Sequence, residues 1–220
     1  MPQREQLKEL LRTKRFEEVE QMAIKDKHWL RSLVSILYEG DELLLHRAAA
    51  VWGRLALSAP SSIRRYMSRL AWQLNDESGN IGKGSPQVIA EVARHNIDLA
   101  RDVIPVTTHY LDDRGMLPGV LWGIGRVGEI HRAPVLDTVP ELRALLNDAD
   151  AAIRGNAAWA LGKLRVAEAA PGLRLLVDDN REVSIYENDE MNRWTVKEVA
   201  GRALAALALN SNAHPPPTGA

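Results

Sequence analysis

Between Asn75 and Gly84 the chain gathers carboxylates, amides, a hydroxyl and a lysine among three glycines, in Asn75, Asp76, Glu77, Ser78, Gly79, Asn80, Gly82, Lys83 and Gly84. Side-chain acceptors beside backbone laid open by glycine suit ligand capture on a loop. The spacing is not that of a calcium loop, which closes with a bidentate glutamate. Nor is it a phosphate loop, whose glycines lead into Lys-Ser or Lys-Thr. The same composition also suits a capped turn between helices, in which Asp and Asn bond nearby amides.

Trp122 and Trp159 form a second candidate site. At about 100° per residue Trp159 lies away from the apolar stripe of Ile153, Ala157 and Leu164, so an aromatic ladder facing solvent would offer a partner protein large apolar area at small entropic cost. Packing between neighbouring helices is the favoured alternative. Tyr186 opens an acidic stretch with Glu187, Asn188, Asp189 and Glu190, with Trp194 as an anchor; it would dock a basic partner or stand as a solvated insertion. Arg47, Arg126, Lys163 and Arg202 would make a ridge for phosphate, although ordinary solvation is favoured for such residues.

No catalytic residue is assigned. The six histidines include no HExxH pair, so no metal site is expected. His109, beside Tyr110 and Asp112, is a lone acid–base candidate that reads more simply as a helix end. The chain has no cysteine, which excludes disulfides, thiolate nucleophiles and Cys-ligated metal centres. No cofactor is expected.

The elements that must position these groups are helical. With 45% hydrophobic and 26% charged residues the composition is that of a soluble folded protein. Its 28 Lys and Arg balance 29 Asp and Glu, so no global field draws it to nucleic acid or membrane. The charged N-terminus lacks a secretory core, and no run approaches the ~20 apolar residues that span a bilayer. A cytoplasmic location is the expectation.

Residues 1–41 read as a helical cap with helices near Gln3–Leu11, Phe16–Ile24 and His28–Leu37. Residues 42–209 read as a repeat array and 210–220 as a flexible tail rich in proline. Within the array, helices are expected near Glu42–Ser58, Ser61–Gln73, Pro86–Asn96, Asp98–Leu111 with an irregularity at Pro105, Leu117–Ile130, Val139–Leu146 capped by Asp137 or Thr138, Asp150–Leu164 with a partner to Val177, and Thr195–Leu209. No strand framework is expected. Gly162-Lys163-Leu164 superposes on Gly125-Arg126-Val127 and Gly53-Arg54-Leu55, which aligns Trp159 with Trp122 and makes Trp52 a core residue. Intervals of 72, 37 and 43 residues between Gly53, Gly125, Gly162 and Ala205 leave room for one more pair in the first gap, or about five pairs in all.

Asp150, Ile153, Arg154, Ala157, Ala158, Ala160, Leu161, Gly162 and Leu164 resemble the HEAT repeat, in the short form of phycobilisome lyase-like proteins. The segments Trp72–Gly79 and Ile185–Tyr186 with Trp194–Val196 are similar to signatures of an uncharacterised bacterial HEAT-repeat group. The resemblance implies an all-α, right-handed α-solenoid of about five helical pairs behind the cap, acting as a non-catalytic protein-binding scaffold or adaptor. Its alternative implication is a lyase-type enzyme or accessory subunit acting on a chromophore, cofactor or modified protein. HEAT-like DNA glycosylases favour a basic groove, which this near-neutral chain lacks, so nucleic acid is not an expected partner. The partner residues expected are Asn75, Asp76, Glu77, Ser78, Asn80, Lys83, Trp122, Trp159 and Tyr186.

Overall fold

The computed structural model describes residues 3–74 and 84–213, with side chains for 3–70 and 84–209. Asn75, Asp76, Glu77, Ser78, Asn80 and Lys83 therefore lie outside the described residues.

Three amphipathic helices, α1 (Gln3–Arg12), α2 (Phe16–Lys25) and α3 (Lys27–Ile36), form the N-terminal bundle around the fully buried Leu7, Leu11, Leu33 and Ile36. Four helical pairs follow: α4 (Glu42–Ser58) with α5 (Pro60–Leu74), α6 (Ser85–His95) with α7 (Ile104–Thr108), α8 (Leu117–Gly128) with α9 (Val139–Leu145), and α10 (Ala151–Leu164) with α11 (Ala170–Arg174). The last helix is α12 (Val196–Ala213). Helices α4, α6, α8, α10 and α12 pack each on the next as one continuous row, and the partner helices α5, α7, α9 and α11 contact that row. This is the stacked logic of a solenoid, in which each unit buries its apolar surface on its neighbours.

Close stacking depends on small residues at the repeat-equivalent positions. A Cβ at Gly125 would lie 2.5 Å from the Trp159 ring and 2.9 Å from the Ala160 Cα, and one at Gly162 would lie 2.8 Å from the Ala203 Cβ. Trp52 is fully buried, in the core position that the alignment assigned to it. Helix α10 starts where the Asp150 carboxylate accepts the Ala152 N–H at 2.8 Å, an N-cap that satisfies one free helix donor.

Several elements depart from expectation. The helix expected over 98–111 is broken into a 3₁₀ turn (Ile97–Leu99), the short α7 and a second 3₁₀ turn (His109–Asp112). Pro105 lies in the first turn of α7, where its missing N–H costs nothing, and so it starts a helix instead of disturbing one. Neither expected cap of α9 forms: the Thr138 hydroxyl donates to the Val135 carbonyl at 2.7 Å, closing the preceding 3₁₀ turn (Ala133–Thr138). Helix α12 carries helical backbone to Ala213, into the stretch expected to be tail.

The largest departure is a β-hairpin where no strands were expected. Strands β1 (Glu182–Glu187) and β2 (Glu190–Thr195) pair antiparallel, with Val183 opposite Trp194 and Ile185 opposite Asn192. Asn188 and Asp189 both adopt positive φ, as a two-residue type I′ turn requires. Arg154, with its side chain buried, sets the hairpin's base: it donates to Asp179 at 2.6 Å and to the Asp148 carbonyl at 2.5 Å. Burial would raise the Asp179 pKa, but Arg181 and Arg154 outweigh it and hold the group at about 2. No helix of the described residues is long and apolar enough to cross a membrane.

Candidate functional site

The hairpin leaves the C-terminal repeat and crosses the helical row toward the N-terminal bundle. At its base Val183 of β1 packs on Gly155 of α10. At its tip Arg47 of α4, with a side chain only 4% exposed, donates from Nε and Nη2 to the Asp189 carbonyl at 3.0 and 2.9 Å and from Nη2 to the Glu190 carboxylate at 2.9 Å. Its Nη1 donates to the Leu11 and Arg12 carbonyls at the end of α1, at 3.2 and 2.8 Å. Lys14 forms an ion pair with the same Glu190, and together Lys14 and Arg47 hold that carboxyl below the usual range.

Between tip and base the aromatic residues singled out from sequence come together, buried. Trp122, Trp159 and Tyr186 expose 2%, 6% and 3% of their surface, so the solvent-facing ladder does not form. The hairpin covers it: Trp122 Nε1 donates to the Tyr186 carbonyl at 2.8 Å, and Trp159 Nε1 donates to Glu187 at 3.3 Å. The two indoles lie parallel with centroids 6.3 Å apart. His46 of α4 stacks on Tyr186 at 4.6 Å and meets Trp122 edge-on at 4.4 Å. Burial, reinforced by the Arg126 charge, pushes the His46 pKa down to about 3, so the imidazole is neutral. Burial also raises the Tyr186 pKa, and its hydroxyl donates to Asp189 at 3.3 Å.

Nor is there a free basic ridge. Arg126 donates to Glu91 at 2.6 Å, Lys163 bridges Glu129 and Glu187 at 3.0 and 2.7 Å, and Arg202 reaches Glu187 at 3.4 Å while lying 4.1 Å over the Trp194 ring. The basic residue after each repeat glycine bonds an acid of an earlier helical unit, with Arg54 to Glu20 as the first case. Burial would lower the Arg126 pKa, yet the Glu91 carboxylate more than offsets this and raises it. His109 is exposed, its ring 6.1 Å from that of Tyr110.

Beside the aromatic cluster, the hairpin and the starts of the row helices enclose a cavity of about 790 Å3. Its walls include Leu45 and His46 of α4, Gln87 of α6, Trp122 of α8, Asn156 of α10, and β1 from Glu182 to Tyr186. The size falls within the range of ligand sites, and polar and apolar groups share the wall about equally. Two of those groups lack partners: His46 Nδ1 and Gln87 Oε1 are buried without a hydrogen bond. Gly84, where the sequence-marked loop ends, packs on Leu37 and Leu45, both of which line the cavity. Sequence reasoning missed Gln87, Asn156 and Ser184 as site residues and saw His46 only as a non-ligand. The usable signal was Val183-Ser184-Ile185-Tyr186, a β-favouring run before an Asn-Asp turn.

Residues 119–185 match the family described as HEAT repeats. An uncharacterized protein of Archaeoglobus fulgidus is 31% identical over 169 residues, which cover 76% of this chain and 91% of that protein. Among solved structures, a designed armadillo repeat protein superposes with a TM-score of 0.54 at 20% identity, covering 94% of this chain and 95% of its own. An engineered protein gives 0.52 at 17% identity, with coverage of 94% and 99%. At those identities the structural likeness concerns the fold alone.

Proposed function

We propose that this chain, which carries HEAT repeats and belongs to the family of its Archaeoglobus fulgidus relative, is a non-catalytic scaffold that binds another protein on the hairpin-bearing face of its helical row. The observation that carries this reading is the cavity held open between hairpin and row, with buried polar atoms left unbonded in its wall. A buried acceptor without a donor costs stability, and a bound partner would recover that cost. The four cations read from sequence as a phosphate ridge, Arg47, Arg126, Lys163 and Arg202, are each matched with a carboxylate.

A second reading, the lyase-type accessory role suggested by phycobilisome lyase-like proteins, rests on two titratable groups, His46 and Tyr186, that stack in the cavity wall. Their ionisation favours the scaffold. A general acid or base works best with a pKa near the working pH, whereas His46 is held far below it and Tyr186 far above.

The test is quantitative co-purification with the intact chain and with two charge-reversed variants. Glu42→Arg with Glu182→Arg alters exposed residues lining the cavity, and Glu141→Arg alters the exposed side of α9. Partners should be lost only from the cavity variant. An identical partner set for all three chains would remove this face as the binding surface.

A further inference from the structure

The unpaired edge of β1 runs along the cavity. In the hairpin register the ladder bonds belong to Val183, Ile185 and Glu187, since Glu187 and Glu190 close a two-residue turn and Val196 donates to the Arg181 carbonyl two residues before Val183. Glu182, Ser184 and Tyr186 therefore turn their backbone groups away from β2. Trp122 takes the Tyr186 carbonyl. At Ser184, which lines the cavity, neither the N–H nor the C=O has a protein partner among the described residues.

Three further observations bear on what would fit. His46 and Gln87, each about 7% exposed, line the cavity, and each carries a buried polar atom without a partner, the His46 Nδ1 and the Gln87 Oε1. The charged side chains among its described lining residues are Glu42 and Glu182, with no Lys or Arg. Apolar side chains such as Leu37, Leu45, Met116 and Ile185 share the remaining wall with Tyr38 and Asn156.

Resting on the scaffold reading above, we propose that the cavity takes an extended peptide segment of the partner protein, which pairs with Ser184 as an added strand and inserts one N–H-bearing side chain, Asn, Gln or Lys, toward Gln87 and His46. Strand addition supplies main-chain hydrogen bonds, and pockets reached by alternate side chains supply selectivity. Gln87 Oε1 accepts the inserted N–H. The neutral His46 ring offers a lone pair without repelling a cation, and Glu42 and Glu182 disfavour acidic segments.

The experiment is display of a random nonapeptide library against the full chain, followed by calorimetry on the enriched peptide. Enrichment should converge on one Asn, Gln or Lys flanked by apolar residues, with Asp and Glu depleted. Gln87→Met nearly keeps volume and removes an unpartnered polar atom, so it should fold at least as stably as the parent, with a melting temperature raised by roughly 2–4 °C, and His46→Phe, a slightly larger ring, removes the other such atom. Each should also weaken the peptide tenfold or more. Methylating in turn each backbone nitrogen of the peptide should give one position, paired with Ser184, where affinity drops tenfold or more. An acidic consensus, undiminished binding to both variants, a flat methylation scan, or no peptide above background would each overturn the proposal. A peptide indifferent to Gln87→Met and to methylation but lost on Glu42→Arg with Glu182→Arg would leave the scaffold reading standing. One indifferent to every change would remove both.

Discussion

The helical row and the hairpin that crosses it are held by different physics. In the row, Ala157, Ala158, Ala160 and Gly162 of α10 let flanking helices approach until backbone nearly meets backbone, and stability comes from apolar burial repeated unit by unit. The hairpin is held by a few polar and aromatic contacts between residues far apart in the chain, such as Arg47 with Asp189 and Trp122 with the Tyr186 carbonyl. The first kind of interface tolerates no added volume. The second tolerates no lost partner.

Removing a partner should have the largest effect. Arg47→Ala strips the Leu11, Arg12 and Asp189 carbonyls of a largely buried donor and is expected to cost about 2–4 kcal/mol in urea denaturation, the scale for leaving buried acceptors unsatisfied. Protease cleavage at the hairpin tip should rise in parallel. If the loss is under 1 kcal/mol, the hairpin is not anchored as described.

Adding volume comes next. Gly125→Ala brings a methyl against the Trp159 ring and is expected to cost about 1–3 kcal/mol by thermal unfolding. An unchanged melting temperature would show that the row can shift apart.

Acid should act on the crossing rather than the row. His46 is held at about 3 in the fold against about 6.5 unfolded, so the unfolded chain binds the extra proton as pH falls. Stability from this group is full above pH 6.5 and declines below it, by about 1.4 kcal/mol between pH 7.5 and 5.5. His46→Phe should flatten that slope, and an unaltered slope would place the titration elsewhere. Smallest of all should be Lys163→Ala, under about 1 kcal/mol, because the ammonium is partly solvated and its two acids keep Arg126 and Arg202. A loss as large as that of Arg47→Ala would erase the contrast between buried and rim charges.

This division also explains what the sequence made legible. Stacking writes itself into local spacing: the offset of Ile153, Ala157 and Leu164 and the recurrence of Gly53, Gly125 and Gly162 sufficed to place the row. The equivalence of Trp122 and Trp159 was read as repetition, with packing between helices favoured over an open ladder, and both are buried; the hairpin that covers them left no mark in the helical spacing. Arg47 illustrates the limit. Its partners come from residues 11, 12, 189 and 190, and no window along the chain contains them together. Gln87 sits in an ordinary helical stretch, and only the cavity distinguishes it.

The clamp at Arg47 alters how the array must come apart. An ordinary stack of repeats frays from its ends, since each unit contacts only its neighbours and a terminal unit can melt while the middle persists. Here one guanidinium joins the end of α1 to the hairpin turn, so releasing either from the row breaks bonds to the same group. The end of α1 and the hairpin are thereby expected to melt together rather than in turn.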